Sequence, residues 1–291
     1  MIHGYVIVDK PQGLTSTQVV TKIKHLFHAK KAGHGGTLDP LATGLLPIAL
    51  GEATKTLPFV LDGKKAYRFE VKWGEARTTE DCEGDVTASS DKRPTKAEIE
   101  KALPLFTGSI QQIPPIYSAI KVKGKRAYAL ARQGEEVILA PREVHIEKFT
   151  LLTSSLTSAT FEVVCSKGTY IRSLARDVAI KLGTYGYLTQ LRRLVAGPFQ
   201  EKDAILLDSL LQIGHNTELV KYILPLQDAL ADILALEIQD IDAEKLQRGQ
   251  RIPSSYKGEE KIALVSCKGI PQALTEVREG WIKPFRVFNI G

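Results

Sequence analysis

The sequence predicts an α+β protein that carries a small β-rich module near its C-terminal end. Three patterns support this. Residues 66 to 73 alternate, with Tyr67, Phe69, Val71 and Trp73 on one face and Arg68, Glu70 and Lys72 on the other. That period of two marks a half-buried strand. Val19, Val20, Ile23, Leu26 and Phe27 recur at helical spacing behind a cap at Thr15 or Ser16. Stretches 261–266, 272–278 and 281–288 read as strands of the tail. The chain has 291 residues, enough for one large domain, expected over 1–220, and a small one over 226–291. The polar stretch 214–218 and the region of Pro225 loosely mark the boundary.

Taken in order, residues 4 to 8 form a buried apolar strand, and Asp9-Lys10-Pro11-Gln12-Gly13 turns the chain. The first helix follows. Its outer face carries Lys22, Lys24, His25 and His28, with Lys30 and Lys31 just beyond. Such runs are ordinarily solvated faces, and this one leads straight into a segment of special composition. From Gly33 to Lys55 the chain reads GHGGTLDPLATGLLPIALGEATK. Asp39 is the only ionisable side chain between His34 and Glu52. Glycines surround it, Pro40 biases it toward an extended backbone, and an apolar run from Leu45 to Leu50 follows. One acid is thus held on a shaped loop at the edge of a core.

Residues 78 to 94 are polar and read as a surface loop. Thr95 begins a helix, with Glu98 completing a capping box. Between residues 114 and 142, Lys121, Lys123, Lys125, Arg126 and Arg132 are interleaved with Tyr117 and Tyr128. Cations beside aromatics suit a nucleic-acid contact, where charge meets phosphate and rings meet bases. A strand over 160–165 precedes a helix with Ile171, Leu174, Ala175, Val178 and Leu182 on one side, ended by Gly183. Residues 246 to 250 resemble a helix end.

The charge balance is +6 with a pI near 9.0, which suits a polyanionic partner without demanding one. The three cysteines, Cys82, Cys165 and Cys267, form no Cys-x-x-Cys pair. A zinc site or disulfide framework is not expected, and a reducing cytoplasm fits. Each cysteine reads as a small packed residue. No run reaches bilayer-spanning length, and the N-terminal apolar run is too short for a signal peptide.

The 33–55 segment resembles the signature of the TruB family of tRNA pseudouridine synthases, in which a Gly-Gly-Thr-Leu-Asp-Pro-type loop carries the catalytic aspartate. Further motifs follow in the family's order: Asp9-Lys10-Pro11-x-Gly13, Lys65-Ala66-Tyr67-Arg68, Pro114-Pro115-x-Tyr117-Ser118-Ala119-x-Lys121, Gly168-Thr169-Tyr170-Ile171-Arg172 and Leu191-Arg192-Arg193. The resemblance implies a curved, mixed, mostly antiparallel sheet with flanking helices, plus a PUA-like RNA-binding module. It implies isomerisation of uridine 55 in the tRNA T loop to pseudouridine by a stand-alone enzyme. That enzyme would be a monomer with no guide RNA, no metal, no organic cofactor and no membrane partner.

Residue by residue, the resemblance makes Asp39 the catalytic acid and Arg172 its ion-pair partner. An arginine in a first helical turn gains from a carboxylate, because that end of a helix favours anions. Tyr67 would lie over the target base and assist removal of the C5 proton. His34 would fill the space left by the flipped base, and Leu191 would pack near it. Tyr170, Lys121, Arg193 and Lys10 are assigned to substrate or RNA, and residues 114–142 to clamping the stem-loop. From local sequence alone Lys10 reads equally well as a solvated turn residue, Tyr67 as core and Arg172 as an exposed helix arginine. The carboxylate's route stays open between attack at C1′, attack at C6, and removal of the C2′ proton to give a glycal.

Two alternatives share the fold: a non-catalytic tRNA-binding or tRNA-folding protein, and a guide-RNA-dependent synthase. The intact Asp39, Tyr67 and Arg172 argue against the first. The short tail and the 114–142 segment argue against the second. A glycosidase is excluded more simply, because the motif holds no second carboxylate to pair with Asp39.

Overall fold

The computed structural model describes residues 2–122 and 124–290. In chain order the elements are β1 (Gly4–Lys10), α1 (Ser16–Leu26), β2 (Ala32–His34), β3 (Thr43–Leu50), α2 (Leu57–Asp62), β4 (Lys65–Trp73), β5 (Glu75–Arg77) and β6 (Val86–Ser89). Then come α3 (Lys96–Ala102), β7 (Gly108–Gln112), β8 (Lys121–Val122), β9 (Lys125–Arg126), α4 (Ala127–Arg132), β10 (Arg142–Ser154), β11 (Ser158–Cys165) and α5 (Ile171–Lys181). The remainder is β12 (Gly186–Ala196), β13 (Phe199–Gln200), β14 (Ile205–Leu206), α6 (Leu207–Ile213), β15 (Leu234–Glu237), α7 (Asp240–Gln247), β16 (Ile252–Pro253), β17 (Lys261–Cys267), β18 (Ile270–Arg278) and β19 (Trp281–Val287). The architecture is α+β with mixed, mostly antiparallel sheets.

The chain divides into two compact units. One comprises Met1–Leu38, Leu45–Leu61 and Ala196–Gly291; the other comprises Asp39–Gly44 and Asp62–Val195. In the first, β1 pairs in parallel with β14, and β2 lies antiparallel on β3. The five-stranded sheet β15-β17-β18-β19-β16 belongs to the same unit. Leu264, Leu274 and Phe288 from that sheet and its C-terminal end close one core with Tyr5, Ile7, Leu45, Phe199 and Leu226. The tail is also tied by polar contacts. Lys55 donates to the Val287 carbonyl at 2.7 Å, and Asn289 N–H donates to Glu52 at 2.9 Å. The interior of α7 and its sheet forms a further cluster around Leu246, Ile252, Val265 and Ile282.

In the second unit the strand order is β12-β4-β11-β10-β7. The β4–β11 ladder runs from Lys65–Cys165 to Lys72–Ser158 without a register shift, and stacks Phe69 on Phe161. The alternation expected over 66–73 is observed: Phe69, Val71 and Trp73 are buried, and Arg68 and Lys72 are exposed. The expected capping box of Thr95 with Glu98 forms, and of the two cap candidates of α1 it is Thr15 that caps, in a box with Gln18. Among the described residues no helix is long and apolar enough to cross a membrane.

The expected surface loop over 78–94 is different. Residues 86–89 form β6 and pair with β5, and Asp81 between the two strands is only 3% exposed. Asp81 also bridges in parallel to Leu188. Its burial is possible because its carboxylate is paired, accepting from the Thr79 hydroxyl and Glu83 N–H with the Arg172 guanidinium nearby. Of the cysteines, Cys165 and Cys267 are packed as expected, whereas Cys82 is exposed.

Candidate active site

The second unit gathers Asp39, Tyr67, Asp81, Tyr170, Arg172, Leu191 and Arg193. Arg172 is the hub. It stands in the first turn of α5, where side chains lean back toward the helix start. The Tyr170 side chain does not cap that helix; Gln112 at the end of β7 grips the Tyr170 backbone instead. Tyr170 N–H donates to Gln112 Oε1 at 2.8 Å, and Gln112 Nε2 returns a bond to the Tyr170 carbonyl at 3.1 Å. The site's helix is thereby fixed to its sheet.

Every nitrogen of the Arg172 guanidinium has a partner. Nε lies 3.0 Å from Asp39 Oδ2 and 3.8 Å from Asp81 Oδ2. Nη1 donates to the Thr79 carbonyl and Nη2 to the Tyr117 carbonyl, each at 2.9 Å. A planar fork held in three directions cannot rotate. The Arg172 side chain is 6% exposed, and that of Asp39 is 39% exposed. The cation is therefore sealed, and the acid it orients remains reachable. Asp81 is itself tethered, accepting from the Thr79 hydroxyl and from Glu83 N–H.

Other residues build the frame. Gly44 adopts φ +95, and a Cβ there would lie 2.4 Å from the Arg193 carbonyl. Only glycine lets β3 start against β12, where Arg193 is the register partner of Gly44. Arg193 is 1% exposed, with Tyr67 beside it. Burial pushes the Tyr67 phenol above its usual range, and the Arg193 guanidinium and its hydrogen bond pull the other way. Tyr67 therefore stays a neutral phenol at physiological pH. Leu191 is packed, and its carbonyl accepts from Thr43 Oγ1 at 3.5 Å.

The 114–142 segment forms the β8–β9 hairpin and α4 around a small core of Ala127, Leu130 and Val137. Lys121, Lys125, Arg126 and Arg132 are exposed on it, and Arg132 lies over the Tyr128 ring at 5.7 Å. Lys123, also assigned to this basic cluster, lies outside the described residues.

Two assigned residues belong to the first unit. His34 ends β2, half-buried, opposite Ile48. Lys10 is fully buried, and its ammonium donates to the Pro11 and Leu14 carbonyls at 2.9 and 2.7 Å. In this conformation Lys10 closes the turn after β1. In the same unit the hydroxyl of Ser16 bonds both the N–H and the carbonyl of Leu38, the residue before Asp39.

Sequence reasoning missed Asp81 and Thr79, and it noted Lys65 only as part of a motif, without foreseeing its burial. Lys65, at the start of β4, is 6% exposed, and burial followed by the Arg193 charge pushes its ammonium down to about 8. Since an unfolded lysine titrates near 10.4, the unfolded chain binds the extra proton between pH 8 and 10. Stability then rises with pH over that window. Parent protein should gain about 2–3 kcal/mol from this residue between pH 8 and 10, and a Lys65→Met variant should lack that gain. Urea denaturation of both proteins at the two pH values measures the difference. Equal slopes would show that Lys65 keeps its proton. Among the described residues no group of three or more His, Cys, Asp or Glu side chains is placed to hold a metal ion.

Comparisons with known proteins show the family. The family model for the TruB family pseudouridylate synthase N-terminal domain matches residues 24–171, and that for the tRNA pseudouridylate synthase B C-terminal domain matches residues 172–231. A Bradyrhizobium diazoefficiens protein named tRNA pseudouridine synthase B is 52% identical over 300 residues, which span 99% of this chain and 86% of the relative. A protein of the same name from Bartonella tribocorum is 47% identical, spanning 99% of this chain and 97% of the relative. The solved archaeal box H/ACA Nop10–Cbf5 complex contains a chain of the same fold, with a TM-score of 0.74 and 23% identity over 98% of this chain and 85% of that one. The chain belongs to the TruB family of pseudouridylate synthases.

Proposed function

We propose that this protein isomerises uridine 55 in the T loop of tRNA to pseudouridine, as a monomer and without guide RNA. The observation that carries this is the reachable Asp39 carboxylate held 3.0 Å from a sealed Arg172. In the reaction the N1–C1′ bond breaks, the uracil turns, and a C5–C1′ bond forms. The C5 proton leaves and N1 takes up a proton, so the net change is an isomerisation. Asp39 acts on the sugar or the base as nucleophile, or takes the C2′ proton, and each role requires it charged and oriented. Arg172 supplies both the orientation and a counter-charge. Tyr67, a neutral phenol, stacks on the uracil and assists in moving the C5 proton. Leu191 lines the base, with Tyr170 and Arg193 beside the site.

The target base must leave its loop to meet Asp39. The exposed cations Lys121, Lys125, Arg126 and Arg132 suit the phosphates of the stem-loop, and His34 takes the place of the departed base. We expect His34→Ala to slow single-turnover conversion of folded tRNA by about 10-fold, while a short unstructured RNA holding the same uridine is converted at the parent's rate. Equal rates for mutant and parent on folded tRNA would remove that role.

The test of the function is conversion of an unmodified tRNA transcript by purified protein alone, with the modified position mapped. Conversion confined to the T-loop uridine is the expected result. A protein that binds the transcript and converts nothing would be a binder, or would need a guide, and the proposal would fail.

A further inference from the structure

Two arginines stand one turn apart on α5, and the second repeats what the first does. Positions 172 and 176 share a helix face. Arg172 reaches the Thr79 and Tyr117 carbonyls. Arg176 places Nη1 2.5 Å from Glu80 Oε1, donates from Nη2 to the Ile113 carbonyl at 2.9 Å, and donates from Nε to Asp177 at 2.8 Å. Ser173, between them, donates to the same Ile113 carbonyl at 2.8 Å and lies 3.4 Å from Glu80 Oε2. Both arginines therefore bridge the same two segments: the turn 79–81 and the stretch 113–117 that opens the basic clamp.

Glu80 itself adopts φ +64. A side-chain-bearing residue resists that left-handed conformation and keeps it only where its surroundings over-determine it. Here Arg176 and Ser173 hold the carboxylate, and Leu188 N–H holds the carbonyl at 3.1 Å. The residues on either side, Thr79 and Asp81, are the ones that touch Arg172.

We propose that Glu80 and Arg176 form a positioning pair. They hold the strained 79–81 turn that fixes Arg172 against Asp39, and they tie this turn to the base of the 114–142 clamp. The inference rests on Asp39 being the reacting carboxylate. Neither residue meets the substrate; both act through Arg172. Without the pair, the turn relaxes, and Thr79 and Asp81 withdraw from the guanidinium. The clamp's exposed cations are left untouched, so tRNA affinity persists while the chemical step slows.

The experiment measures single-turnover conversion of a saturating unmodified tRNA transcript, and transcript affinity, for parent, Glu80→Gln, Arg176→Met, the double variant and Arg176→Lys. Glu80→Gln and Arg176→Met should each slow conversion on the order of 30- to 100-fold, the loss typical of slight misplacement of a reacting group. Affinity should stay within about threefold. The double variant should be no slower than the worse single one, because the two act as a unit. Arg176→Lys, which keeps the charge opposite Glu80, should recover part of the rate. If Arg176→Met fails to fold, Glu80→Gln and Arg176→Lys carry the same test. Rates within threefold of an active parent, additive losses, or losses matched by equal losses of affinity would each overturn the inference. A parent that converts nothing would instead overturn the proposed function on which it rests.

Discussion

Replacing Asp39 by asparagine is expected to lower conversion of uridine by at least about 10⁴-fold, with tRNA affinity unchanged within about threefold. The substitution keeps the size and the hydrogen-bonding oxygen of the side chain. It removes the charge, and with it the ability to attack carbon or accept a proton. An amide still accepts from Arg172 Nε, so the guanidinium and its carbonyl anchors stay in place. The loss should therefore fall on the chemical step alone. Rapid-quench conversion at saturating enzyme, compared with filter-binding affinity, separates the two. A residual rate within 100-fold of the parent would mean that another group performs the chemistry.

Arg172→Lys should cost about 10²–10³-fold in the same assay. Lysine preserves the charge but not the fork. Its ammonium cannot face Asp39, Asp81, Thr79 and Tyr117 from one fixed plane. Asp39 would keep a cation nearby and lose its orientation. Unlike Asp39→Asn, this variant should also unfold at a lower temperature, because the buried Thr79 and Tyr117 carbonyls lose their donor and Asp81 loses the counter-charge fixed beside it. Thermal unfolding and single-turnover rates together provide the check. A lysine variant with full activity would show that charge alone suffices.

The sequence made the apolar framework plain. The alternation in β4, the cap of α1, the capping box of α3, the buried run of β3 and the stripe of α5 each follow a rule that acts within a dozen residues. Asp39 was legible because one charge stood in an otherwise uncharged segment. Its supports were hidden for the opposite reason. Thr79, Glu80 and Asp81 are polar residues in a polar stretch and read as solvated, yet their partners Arg172, Ser173 and Arg176 lie about 90 residues along the chain. Burial through pairing leaves no period in the sequence. Arg193 and Lys10 follow the same pattern, with cations expected at the surface enclosed instead by Tyr67 and by backbone carbonyls. One signal was present: two arginines spaced for a single helix face call for two acids, and the 78–94 stretch holds an adjacent pair, Glu80 and Asp81.

The shared core of Tyr5, Phe199, Leu264 and Phe288 has a consequence for how the protein is made. β1 cannot finish packing until Phe288, about 280 residues further along, has emerged from the ribosome. At elongation rates of about 5–20 residues per second that interval is about 15 to 60 s. The segment 62–195, by contrast, has its sheet strands from β4 to β12 in hand much earlier. Nascent chains halted near residue 220 should therefore protect β4 and β11 from proteolysis while β1 is still cleaved. Only chains long enough to expose Phe288 outside the ribosome should shield β1.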